Sequence, residues 1–145
     1  MADENLPRAD RVSGTPAATD EAIVNACARV PGVRNGALVL LAEGISVSGI
    51  GAGSSFDREP LVRAALRCLG TSNVLVRRSR KATEFVQYAF LSAEQITVVL
   101  RGKLQPRLAL VLVCTRESNL AFVLSAARGA LAEIEVTPGL VEWVA

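Results

Sequence analysis

Three cysteines, a scatter of carboxylates and two sets of basic side chains are the residues of this chain with chemistry to offer; histidine is absent. Without histidine the chain has no Ser-His-Asp or Cys-His nucleophile system and none of the His-based zinc motifs. Cys27, Cys68 and Cys114 each sit inside an apolar run, far from one another and outside any Cys-x-x-Cys pair. They read as reduced, buried small hydrophobes of a cytoplasmic protein, since a reactive thiol needs an exposed cationic setting. The acids have structural duties ready to hand. Glu43 falls in a turn, Asp57 and Glu59 at a helix start, and Glu133 and Glu135 near a helix end. No pair of them has the spacing of a carboxylate active site. The run Gly49-Ile50-Gly51-Ala52-Gly53 lacks both the G-x-G-x-x-G and the G-K-[ST] pattern of phosphate loops, so it reads as a connector. No cofactor or metal site is expected. What remains is basic: Arg58, Arg63 and Arg67 around one helix, and Arg77, Arg78, Arg80 and Lys81 beyond it. These suit a solvated surface or contact with an acidic partner.

The elements that carry these residues follow from hydrophobic periodicity. Ile23, Ala26, Cys27 and Val30 form a helical stripe that Thr19 can cap and Pro31-Gly32 ends. Ala37 to Ala42 is continuously apolar, the pattern of a strand covered on both faces. A tight turn at Glu43-Gly44 leads to the alternating Ile45 to Ser48, an edge strand broken by the glycines that follow. A second helix is predicted from Asp57 to Leu69, capped by Asp57, stapled by Phe56 and Leu61, and stopped at Gly70. Its apolar stripe, Leu61, Ala64, Ala65, Cys68 and Leu69, is wide enough to meet both a sheet and a second helix. After a connector over 71–83 come three strands. Phe85, Gln87, Ala89 and Leu91 alternate with Val86, Tyr88 and Phe90 in the first, and Ile96, Val98 and Leu100 share one face of the second. The third, Leu108 to Cys114, is wholly apolar. A last helix capped by Ser118 runs to about Ile134.

The order is therefore α-β-β-α-β-β-β-α, one α/β domain with a single five-stranded sheet and three helices. Placing the two wholly apolar strands side by side in the middle gives the sheet order 2-1-5-4-3. The domain is expected to span residues 19–135, with a disordered leader over 1–18 and an apolar tail over 136–145. No apolar run approaches the roughly 20 residues of a membrane helix.

Half of the 145 residues are hydrophobic and mean hydropathy is +0.34, more apolar surface than one small core absorbs. Part of it is expected to be buried against another chain. A net charge of +2 and only six aromatic residues give no footing for nucleic acid.

Several local features in this order resemble the Roadblock family, named after the dynein light chain. They are Pro31-Gly32-Val33 before the first strand, Glu43-Gly44-Ile45 at the first turn, the long second helix, the three-stranded meander, and Asn119-Leu120-Ala121 opening the last helix. The resemblance covers Thr19 to Glu135 and lies in the ordered combination. It implies a profilin-like layout and a non-catalytic adaptor, paired with itself or with a related Roadblock subunit, that binds a small Ras-like GTPase. It also implies where the two copies meet: Leu61, Ala65, Cys68 and Leu69 on the second helix, and Phe85, Val86, Gln87, Tyr88, Ala89 and Phe90 on the third strand. Arg58, Arg63 and Arg67, with the basic run from Arg77 to Lys81, are then candidate partner contacts. The alternative function is a small-ligand sensor of the same layout, with a pocket beneath the second helix.

Overall fold

The computed structural model describes residues 17–51, 58–78 and 87–140, with side chains from Thr19 to Gly51, Arg58 to Leu69 and Gln87 to Leu140. Its elements are α1 (Ala17–Ala28), β1 (Val33–Leu40), β2 (Ile45–Gly51), α2 (Glu59–Arg78), β3 (Gln87–Leu91), β4 (Gln95–Arg101), β5 (Leu108–Thr115) and α3 (Leu120–Glu135). The expected order of elements is present. So is the expected sheet, β2-β1-β5-β4-β3, with every neighbouring pair antiparallel. The two wholly apolar strands, β1 and β5, lie together in its centre, where helices cover both faces.

Alternation along the strands divides the core in two. Leu38, Leu40, Ile96, Val98, Leu100, Leu108, Leu110 and Leu112 face α1 and α3. Ala37, Val39, Val99, Ala109, Val111 and Val113 face α2. The α2 side of the sheet is thus floored by small side chains, and α2 lies across β1, β5 and β4. Leu140, beyond α3, is fully buried in the first of these clusters.

Several boundaries differ from expectation. Thr19 does not cap α1; the helix begins at Ala17 and Thr19 is buried within it. β2 continues through Gly49 to Gly51 and is covered by α1, so those glycines do not end it. The first turn takes four residues, with Gly44 at φ +65° and its N–H donating to the Leu40 carbonyl. The largest change is in α2, which passes Gly70 and runs to Arg78. A glycine in a helix costs only about 1 kcal/mol relative to alanine and keeps its N–H, and no proline follows until Pro106. Most of the expected connector is therefore helix. At α3 the cap is Asn119 rather than Ser118. Asn119 Oδ1 accepts from the N–H groups of Ala121 and Phe122, while Ser118 Oγ is taken by Thr115 Oγ1 at 3.0 Å. The expected cap Asp57, the staple residue Phe56 and the tail residue Trp143 lie outside the described residues. No helix among the described residues is long and apolar enough to cross a membrane.

Candidate functional site

Of the ten expected interface residues, Leu61, Cys68, Tyr88 and Phe90 lie on the α2 side of the sheet at its β3 edge. In β3, Tyr88 and Phe90 point to the α2 side; Tyr88 packs against the core beneath α2 and Phe90 lines the groove beside it. Gln87, Ala89 and Leu91 take the opposite face, where Ala89 touches the α3-side core. Arg128 of α3 donates to Gln87 Oε1 at 2.6 Å, which ties that helix to the edge strand. Phe90 and Leu91 remain 48% and 49% exposed. An exposed apolar edge strand is a hazard that proteins usually cover or pair.

Between α2 and this strand lies an open groove of about 530 Å³, lined by Pro60, Leu61, Ala64, Arg67, Cys68, Phe90 and Thr97. Its walls are mostly apolar because α2 turns one side of its stripe toward β3 and away from the sheet centre. Leu61, Cys68 and Phe90, expected from the sequence as interface residues, line this groove. Pro60, Ala64 and Thr97 were not singled out, although Ala64 belongs to the α2 stripe and Thr97 to the α2 face of β4. Leu91 was also missed; its place at the end of the alternating run was the available sign.

Two of the named α2 residues already have a job within one copy. Ala65 and Leu69 are buried against the sheet, in contact with the floor of small residues. The space beneath α2 is filled by these side chains, so the cavity lies along the helix flank instead of under it.

The arginines separate. Arg58 precedes α2, and its carbonyl accepts from the N–H groups of Leu61 and Val62. Its guanidinium lies over Gly49, where any side chain would collide with it. Arg63 and Arg67 stand on the exposed side of the helix around a second, smaller concavity with Pro60 and Ala64. Arg63 pairs with Glu59 one turn back at 3.5 Å, an exposed pair worth about 0.3–0.5 kcal/mol. Arg77 and Arg78 fall within α2, where their side chains are not described, and Phe85, Val86, Arg80 and Lys81 lie outside the described residues.

The cysteines are free. Burial pushes the Cys27 thiol up to about 12, with the Glu133 charge adding to the effect, and the Cys114 thiol up to about 11. Burial also raises Cys68, the one cysteine at the groove. Thiols shifted this way are protonated and poorly nucleophilic. Among the described residues no cluster of cysteine and carboxylate side chains could hold a metal ion.

The order of elements, the strand order and the two-sided core define the fold of Roadblock/LC7 domains, and solved structures of that fold superpose on this chain. A Roadblock/LC7 domain from Streptomyces avermitilis aligns with a TM-score of 0.65 at 16% identity, covering 84% of this chain and 97% of that one. MglB from Myxococcus xanthus aligns at 0.66 and 15% identity, covering 81% and 92%. The gliding protein MglB from Thermus thermophilus aligns at 0.60 and 18% identity, covering 86% and 91%. No family model and no curated protein matches the sequence.

Proposed function

We propose that this chain is a Roadblock-type adaptor with no turnover of its own. It pairs with a second copy through α2 and β3, and the pair binds a small Ras-like GTPase. A related Roadblock subunit in place of the second copy is the heterotypic form of the same reading. One observation carries it: the only strand edge with two large, half-exposed apolar side chains among the described residues lies directly beside the apolar groove on α2. A partner supplying a strand and a helix would cover both together. Such pairing is a known way for edge strands to gain affinity from main-chain hydrogen bonds. The Roadblock resemblance of the sequence supports a role beside a GTPase, and the chain shares its fold with gliding proteins of the MglB type. An adaptor of this kind acts by preferring one conformation of the GTPase switch regions, shifting their population. Arg63 and Arg67, on the exposed side of α2, are proposed contacts for it.

The test is solution mass by light scattering on the wild type and on the Tyr88→Asp/Cys68→Arg double variant. A wild-type dimer that becomes monomeric in the variant supports the reading. The dimer is then titrated with a purified Ras-like GTPase loaded with GDP or a GTP analogue. Equal affinity for both forms would refute a regulatory role, and a monomeric wild type would refute self-pairing. An open groove of this size and polarity also falls within the range of small-ligand sites. Saturable binding of a small apolar compound by a monomer would favour the sensor reading.

A further inference from the structure

The β4–β5 turn lies at the other end of β4 from the β3–β4 hairpin and reads Gly102-Lys103-Leu104-Gln105-Pro106-Arg107. Its tip shows an apolar side chain to water. Leu104 is 67% exposed, and Val136, just past the end of α3, is 58% exposed. With Phe122, near the start of α3, they are the most exposed large apolar side chains among the described residues. Turns are ordinarily built from glycine, proline and small polar residues.

Two sets of hydrogen bonds make Leu104 and Val136 one fixed feature. Glu135 Oε2 accepts from the N–H groups of Leu104 and Gln105, and Val136 is the next residue after Glu135. The turn is also tied within itself. Gly102 N–H donates to Leu108 O, Leu108 N–H to Gln105 O, and Arg101 Nε–H to Pro106 O. A backbone held at this many points keeps Leu104 outward. Charge surrounds it. Lys103 and Arg107 are exposed on either side, and Arg101 is half-buried at the base of the turn. Of the nearby acids, Glu43 is exposed in the β1–β2 turn, whose Leu41 N–H donates to Arg107 O. Glu133 pairs with Arg29, and Glu135 is buried with its oxygen taken by the turn. Cations therefore outnumber exposed acids around the two apolar side chains.

We propose that this end of the molecule is a peripheral contact for an anionic lipid bilayer. Leu104 and Val136 enter the boundary between headgroups and acyl chains, and Lys103 and Arg107 reach the acidic headgroups. The feature suits a bilayer better than a protein partner. Two apolar side chains on a projecting turn offer far less than the roughly 800 Å² per partner of a specific protein interface. A bilayer needs no such area, because buried apolar surface and attraction to anionic lipids add to one another. The long apolar stems of Lys103 and Arg107 let their charges stay among the headgroups while the tip sinks. The contact does not depend on the self-pairing proposed above: Thr97, in the groove wall, and Arg101, at the base of the turn, lie toward opposite ends of β4.

The test is co-sedimentation of the full chain with phosphatidylcholine vesicles, with and without added phosphatidylglycerol. Binding to the anionic vesicles alone, weakened by added salt, is expected. Leu104→Asp should lower the partition coefficient at least about tenfold, and Lys103→Glu about tenfold. Both positions are exposed, and circular dichroism checks that the fold is kept. A wild type that binds neither vesicle overturns the proposal. So does binding that Leu104→Asp leaves unchanged, which is adsorption by charge alone. Two other occupants would show themselves in the same experiment. Poly-glutamate binding that depends on Leu104, without vesicle binding, would assign the turn to an acidic protein surface. A lower solution mass for Leu104→Asp than for the wild type, in the absence of vesicles, would assign it to a second copy. Either result defeats the bilayer reading.

Discussion

Tyr88 and Phe90 stack on one face of the edge strand, with ring centroids 6.5 Å apart and planes 6° from parallel. The pair forms a flat aromatic step between the core beneath α2, which Tyr88 joins, and the open groove, which Phe90 lines. Tyr88 therefore contributes to the stability of one copy, whereas Phe90 has half its surface left for a partner. Phe90→Asp should leave the fold of the single copy intact and weaken self-association by about 2 kcal/mol or more, roughly thirtyfold in Kd. Sedimentation at several protein concentrations reads the affinity, and circular dichroism checks the fold. Unchanged affinity would remove Phe90 from the interface.

Glu135 is 4% exposed at the end of α3, and its Oε2 accepts from the N–H groups of Leu104 at 2.8 Å and Gln105 at 2.7 Å. One carboxylate thus fastens the β4–β5 turn to the helix. Gly102 is needed beside it, since a Cβ there would run into the same oxygen. Glu135→Ala leaves two N–H groups without their acceptor and should cost about 2–4 kcal/mol in urea unfolding. Glu135→Gln keeps a carbonyl acceptor and should cost less than half as much. Equal losses would mean that packing, not the acceptor, is what Glu135 provides.

The fold was legible in the sequence wherever burial is continuous or alternates cleanly. The continuous apolar runs over Ala37 to Ala42 and Leu108 to Cys114 fitted central strands, and setting them side by side yields the observed strand order, although β1 itself ends at Leu40. The termini of elements were less legible because several residue types compete for them. Gly70 has the chemistry of a helix stop, yet Leu61 and Leu69 hold α2 to the sheet and the helix continues beyond them. The candidate site was half legible. Leu61, Cys68 and Phe90 could be read from periodicity and resemblance. The separation of Ala65 and Leu69 from them could not, because a helical stripe does not show where the sheet ends and the groove begins.

The cap expected at α3 was Ser118, and the structure uses the neighbouring Asn119 instead. Asn119→Ala should destabilise the protein by about 1 kcal/mol, the ordinary value of a cap that binds two N–H groups. Ser118→Ala loses a hydroxyl pair with Thr115 and should cost less. Thermal or urea unfolding of both variants checks the order. A larger loss for Ser118→Ala would return the cap to Ser118.

The buried thiols make a prediction about alkaline stability. Cys27 and Cys114 titrate near 12 and 11 in the fold, against an ordinary value of 9.0, chiefly because burial disfavours the thiolate. A folded pKa raised above the unfolded one means that the folded state holds its proton longer. The contribution to stability is fully present below pH 9.0. Above that, the unfolded chain ionises while the folded one does not, and stability falls until the pH passes the folded values. Other groups also titrate in this range, so the informative quantity is a difference. The Cys27→Ala/Cys114→Ala variant should start less stable at neutral pH, because two small buried side chains are shortened. Its loss of Tm between pH 9 and 11 should be shallower than that of the wild type at the same protein concentration. Parallel Tm curves would show that the thiols do not feel the burial described here. Over the same range a thiol reagent should modify Cys68 well before Cys27 or Cys114, since Cys68 alone of the three is half-buried. In a dimer closed over the groove, Cys68 should be slowed as well, and Phe90→Asp should restore its rate.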